Sequence, residues 1–97
     1  MIETNQKYSW DSRKRESTIN VRGLDFVVLA DFVFGDPDIV IVQDERKDYG
    51  ENRYLAYAMV AGVRLCLCFT YRCDKIHLIT IFRMHEKKWS KYYDTKK

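Results

Sequence analysis

The chain has 97 residues, a formal net charge of +3, and 46% hydrophobic against 32% charged residues. This size and balance predict a single domain over residues 1–97 with a modest core, and exclude a disordered chain. No apolar run approaches the roughly 18 residues of a membrane span, since Asp31 interrupts the longest candidate, Phe26–Phe34.

Met1-Ile2-Glu3-Thr4-Asn5 lacks the basic start and apolar stretch of a signal peptide. A cytoplasmic protein with no membrane partner is therefore expected. An odd number of cysteines (Cys66, Cys68 and Cys73) argues against a disulfide framework. They lack a C-x-x-C pair and a suitably spaced histidine, so buried, apolar roles are expected, with no metal and no cofactor.

In chain order, Lys7-Tyr8-Ser9-Trp10 reads as a short strand. Asp11 or Ser12 can cap a helix over 12–21, and Gly23 can end it in a left-handed conformation. Asp25 can cap a second helix, whose Phe26, Leu29, Ala30 and Val33 recur at helical spacing. Gly35-Asp36-Pro37-Asp38 is a turn. Strands are predicted over 39–42, 53–61, 64–72 and 75–82, with a polar loop at 44–51. The short connections imply an antiparallel meander. Residues 84–95 read as a helix, with Met84, Lys88, Trp89 and Tyr92 at helical spacing. The fold class is α+β: two N-terminal helices, a meander and a C-terminal helix. One sheet face should carry the helices and the other should be more open. Trp10 should anchor the first helix to the sheet.

Charge is unevenly distributed. Residues 1–24 carry net +2, 25–51 net −6, 52–82 net +3 and 83–97 net +4. A polyanion would meet the sheet and the two termini rather than the acidic middle, which makes nucleic acid a plausible partner. Strand periodicity places Arg53, Leu55, Tyr57 and Met59 on one face, and Ile76, Leu78, Thr80 and Phe82 together on one face of the last strand, opposite His77, Ile79 and Ile81. Cleaving RNA without a metal requires a base for the 2′-hydroxyl, a cation for the charged phosphorane, and an acid for the leaving oxygen. Arginine suits the cation role because its fork donates two bonds at once. His77 and His85 titrate near neutrality, although a packing role for His77 and simple exposure for His85 are the plainer readings.

The order of motifs resembles the BrnT family of toxins over nearly the whole chain. Tyr8-Ser9-Trp10-Asp11-Ser12-Arg13-Lys14 is similar to its aromatic-x-W-D-x-x-K opening, and Gly23-Leu24-Asp25-Phe26 to its H-G-V-x-F. Ala30-Asp31-Phe32-Val33-Phe34-Gly35-Asp36 resembles A-x-x-V-F-x-D, and Gly50-Glu51-Asn52-Arg53-Tyr54 resembles G-E-x-R-Y. Asp74-Lys75-Ile76-His77-Leu78-Ile79-Thr80-Ile81-Phe82-Arg83 resembles D-x-I-R-I-I-S-x-R. The resemblance implies a RelE-like fold, a ribonuclease that stops translation, and a BrnA-type antitoxin whose DNA-binding domain brings the hetero-oligomer to its operator.

By position, the resemblance implies Arg53, Arg22 and Arg83 as phosphate-binding candidates and Thr80 as a substrate-positioning hydroxyl; since arginine stays protonated, Glu51 or His77 is left to carry the proton. Val21 and Arg22 stand where the family has Lys-His, Thr18 where it has Asn, and Phe82 where it has the last Arg, with Arg83 adjacent. These departures keep open an antitoxin-binding module with impaired catalysis, and a small RNA-binding domain is a third reading.

Overall fold

The computed structural model describes residues 1–46 and 48–94. Its elements are β1 (Ile2–Thr4), β2 (Tyr8–Asp11), α1 (Ser12–Arg22), α2 (Phe26–Phe34), β3 (Val40–Asp44), β4 (Arg53–Val60), β5 (Val63–Arg72), β6 (Lys75–Arg83) and α3 (Glu86–Trp89), the last running into a π-helical turn, Ser90–Asp94. Residue 95 of the predicted terminal helix, the side chain of Tyr92, and Lys96 and Lys97 of the basic tail lie outside the described residues.

Local chemistry sets the helix ends as the sequence predicts. The Asp11 carboxylate accepts from the Arg13 amide at 2.9 Å, and the Asp25 carboxylate from the Val27 amide at 3.0 Å. Each ties up an amide that the first helical turn leaves without a partner. Gly23 closes α1 at φ 68°, donating its amide to the Ile19 carbonyl, a conformation that costs glycine nothing.

The sheet has six strands in the order β1-β2-β6-β5-β4-β3. The meander from β3 to β6 is antiparallel, as expected. The sheet as a whole is mixed, which corrects the purely antiparallel expectation. β2 pairs with β6 in parallel, with Tyr8 opposite Ile76 and Trp10 opposite Leu78. Parallel neighbours need a long crossover, and here everything from α1 to β5 serves as one. The reading from short connections had no access to that pairing. It also omitted β1, an exposed three-residue strand antiparallel to β2.

One face of the sheet, called here the helix face, packs under α2. Phe26, Ala30 and Val33 meet Ala56, Ala58, Leu65, Leu67, Phe69, Leu78 and Ile81, with Tyr8 and Trp10 in the same core. The small Ala56 and Ala58 let α2 approach β4. Complete burial of a side chain such as Phe26 or Phe69 contributes about 1.5–3 kcal/mol.

The opposite face is not left open, contrary to expectation. Half of it is sealed by Met84, Trp89 and Tyr93, which pack on Leu55, Tyr57, Cys66 and Cys68. Trp89 stacks on Tyr93 with centroids 4.3 Å apart and meets Tyr57 edge-on at 6.3 Å. Asp36 fastens this end: its carboxylate accepts from the Met59 amide at 2.8 Å and from the Tyr93 hydroxyl at 3.1 Å. Cys66 and Cys68 are buried, and burial pushes the Cys66 thiol up to about 12. Cys73, expected to be buried with them, is exposed in the β5–β6 turn.

β6 also departs from simple alternation. Cys68 pairs with Thr80 while Phe69 pairs with Leu78, so Ile79 is an extra residue in the ladder. Such a bulge shifts every later side chain to the other face. Leu78 and Ile81 therefore both enter the helix-face core, whereas Phe82 packs on the second core. The predicted grouping of Ile76, Leu78, Thr80 and Phe82 holds only for the first two; Thr80 and Phe82 join His77 on the second face.

Candidate active site

Beyond the apolar half of the second face, a row of polar residues crosses five strands. Asp44 on β3 is in register with Arg53 on β4. Thr70 on β5 donates its hydroxyl to the Asn52 carbonyl at 2.5 Å and pairs with His77 on β6. His77 pairs in turn with Ser9 on β2. At about 4.8 Å between strands the row spans roughly 19 Å. Ser9, Asp44, Thr70 and His77 are each no more than 6% exposed. Buried polar groups of this kind are costly unless hydrogen-bonded, and each of them is.

The Asp44 carboxylate receives the Arg46 fork at 2.8 and 2.7 Å and the Tyr49 hydroxyl at 3.1 Å. The Arg46 guanidinium holds its carboxyl down at about 2. His77 Nδ1 shares a hydrogen bond of 2.8 Å with the Ser9 hydroxyl. Burial, with the Arg72 charge adding to it, holds the imidazole below its ordinary value, so it is neutral at pH 7.

Above the row sit two forks. The Glu51 carboxylate accepts from Arg72 at 3.1 and 2.7 Å and from Arg53 at 3.3 Å. The Arg72 fork is the main reason its pKa lies below the usual carboxylate range. The Arg53 guanidinium stacks 4.1 Å from the centre of the Tyr49 ring. Where the polar and apolar halves meet, a cavity of about 390 Å³ is lined by Val42, Asp44, Arg46, Leu55, Phe82 and Lys88 among others. Apolar walls with a cationic rim suit a nucleobase and its phosphate.

Farther along β6, Arg22 donates to the Thr80 hydroxyl at 2.7 Å and to the Ile81 carbonyl at 3.1 Å, and lies 5.7 Å from the centre of the Phe82 ring. The reason is topological. β2 ends at Asp11, so β6 beyond Leu78 has no strand neighbour on that side. Arg22 supplies a donor to the exposed edge. Arg83 donates to the Arg22 carbonyl at 2.9 Å.

The structure thus brings together Arg53, Glu51 and His77. It pairs Arg22 with Thr80 on the same face, some residues away. Arg83 does not join them: β6 runs through it in register with Leu65 of the helix-face core. His85 caps α3 without a side-chain hydrogen bond. Sequence reasoning missed Arg72, Asp44, Tyr49, Thr70 and Ser9. A signal existed for two of them, because Cys66, Cys68, Thr70 and Arg72 share one parity on β5. Among the described residues, no three His, Cys, Asp or Glu side chains converge as a metal site requires, and no helix is long and apolar enough to cross a membrane.

Fold and site together define a small α+β protein with a cationic, aromatic-lined polar row on one sheet face. Residues 10–88 match the family described as ribonuclease toxin, BrnT, of type II toxin-antitoxin system. The chain belongs to this family, whose members are ribonuclease toxins with an antitoxin partner. Neither the curated proteins nor the solved structures yield a match.

Proposed function

We propose that the chain is a metal-independent endoribonuclease toxin that inhibits translation and is neutralised by a BrnA-type antitoxin. The observation that carries this reading is the grouping of Arg53, Arg72 and neutral His77 around one polar row. In the proposed reaction His77, held by its hydrogen bond to Ser9, takes the proton of the ribose 2′-hydroxyl. The freed oxygen attacks phosphorus and expels the 5′-oxygen, which takes a proton from water, and His77 releases its own to solvent. Arg53 stabilises the charge that builds on the phosphoryl oxygens. Glu51, whose carboxyl is held ionised by Arg72 and Arg53, is the weaker base of the two candidates. Arg22 binds a neighbouring phosphate, and Thr80 positions substrate through its hydroxyl. Arg83 acts through Arg22, whose carbonyl it holds. The action is cytoplasmic, on a RelE-like scaffold, and operator DNA is reached only through the antitoxin.

The test is expression alone and with the antitoxin, following growth and mRNA integrity. Arg53→Ala should abolish growth arrest and lower cleavage about 10²–10³-fold while the protein stays folded. Full toxicity in that variant removes Arg53 from the site. A second reading, an antitoxin-binding module with impaired catalysis, draws support from Arg22 and Arg83, which are engaged in closing the β6 edge. Intact transcripts and unimpeded growth on expression of the wild type favour it.

A further inference from the structure

The pair of forks around Glu51 is an anion site that already holds an anion. Two guanidiniums from different strands, Arg53 on β4 and Arg72 on β5, converge on one carboxylate. Two carboxylate oxygens accept from a guanidinium fork in the same way as two phosphoryl oxygens. We propose that Arg53 and Arg72 form a binding subsite for an RNA phosphodiester, and that Glu51 occupies it as a stand-in until the phosphate displaces it. This rests on the RNA-cleaving reading for the identity of the ligand, but the site itself is defined by geometry.

Four features make the exchange feasible. The Glu51 side chain is 27% exposed, so its carboxylate can turn into water rather than be left buried and charged. It follows Gly50, which is at φ 72° and gives the loop a point to pivot on. Arg53 stays in place without it, stacked on the Tyr49 ring. Arg72 is 42% exposed and can receive a ligand from solvent. Arg72 lies four residues along β5 from Cys68, the partner of Thr80. At about 3.3 Å per residue this places it roughly 13 Å from the Arg22–Thr80 pair. The two cationic points are thus spaced to meet two separated phosphates of one RNA strand.

The consequence is counter-intuitive for a residue in the centre of a candidate active site: removing its charge should improve binding. The probe is a 2′-O-methyl RNA oligonucleotide, which cannot be cleaved through its 2′-oxygen, with affinity read by fluorescence anisotropy across a salt series. Glu51→Gln should bind at least fivefold tighter than wild type. Its salt slope should steepen by about 0.7, the value for one more phosphate neutralised on a single strand. Arg72→Ala added to Glu51→Gln should cancel the gain. Asp48→Asn is the control, because Asp48 is in the same loop and its carboxylate accepts from the Gly50 amide. It changes net charge equally and should gain less than twofold.

Unchanged or weaker binding by Glu51→Gln overturns the proposal, since Glu51 would then be holding the arginines in place for substrate. An equal gain in Asp48→Asn also overturns it, leaving only long-range charge. Thermal melts confirm that each variant is folded, and Glu51→Ala gives a second charge removal should Glu51→Gln fail to fold. Tighter binding by Glu51→Gln alongside a wild type that cleaves no RNA sinks the ribonuclease reading and keeps the subsite. Wild-type cleavage with no gain in Glu51→Gln does the reverse.

Discussion

The two halves of the second sheet face are built on the same strands and differ in almost everything else. One half carries Leu55, Tyr57, Cys66 and Cys68 and is sealed by Trp89 and Tyr93. A few residues along, the same strands present Arg53, Thr70, Arg72 and His77 beneath a polar loop. The first half stabilises the sheet by burying apolar surface. The second consumes part of that stability to hold buried polar groups in fixed positions. A small domain, with an expected total stability of only about 5–15 kcal/mol, can sustain such a site because the apolar half lies directly beside it.

Separate disruption of the two halves tests this contrast. The largest effect on stability is expected in the sealed half. Trp89→Ala removes the stack on Tyr93 and the edge contact with Tyr57, and should cost about 3–5 kcal/mol by chemical denaturation. A loss under 1 kcal/mol would mean that the terminal turn does not seal the face. Next comes Asp44, at the junction. Its carboxyl, lowered from 3.8 to about 2 with its side chain fully buried, contributes about 2 kcal/mol at neutral pH. Because the folded value is the lower one, that contribution is present above pH 4 and is lost as pH falls towards 2. Asp44→Asn should remove both the stability and this acid dependence.

His77 should report the polar half by a smaller change. Its folded pKa is below 6.5, so its contribution is intact above that pH and fades as pH falls below it. RNA cleavage should fall over the same acid window. In His77→Gln the melting temperature should lose its dependence on pH there. A wild-type profile flat from pH 7 to 5 would argue that His77 stays neutral throughout and that its protonation does not limit cleavage. The smallest effect belongs to neither half. Cys73 and Asp74 sit at φ 51° and 63° in the β5–β6 turn, a pattern that Asn-Gly suits best. Cys73→Asn with Asp74→Gly should raise stability by up to about 1 kcal/mol and leave cleavage unchanged.

Much of this was legible in the residues. Asp11, Gly23 and Asp25 mark helix ends by their own side-chain and backbone chemistry, and the alternation in β4 and β5 is local. What could not be read is non-local. The β2–β6 pairing joins residues 68 positions apart, such as Ser9 and His77, and no local pattern encodes it. The bulge at Ile79 carries no glycine or other marker, yet it decides the faces of Thr80 and Phe82. Arg53, Glu51 and His77 were named as candidates from motif and side-chain chemistry. Asp44 and Ser9 were not, because each acquires its role only when distant strands align.

The late partner of β2 also bears on biosynthesis. A chain made from the N-terminus exposes Tyr8–Asp11 long before its partner, residues 76–78, leaves the ribosome. Until then Ser9 has no imidazole to orient and the polar row lacks its last two members. A product cut short before β6 therefore carries the loop and Arg53 but cannot assemble the row. The row is therefore completed only by the last strand of the sheet to be made.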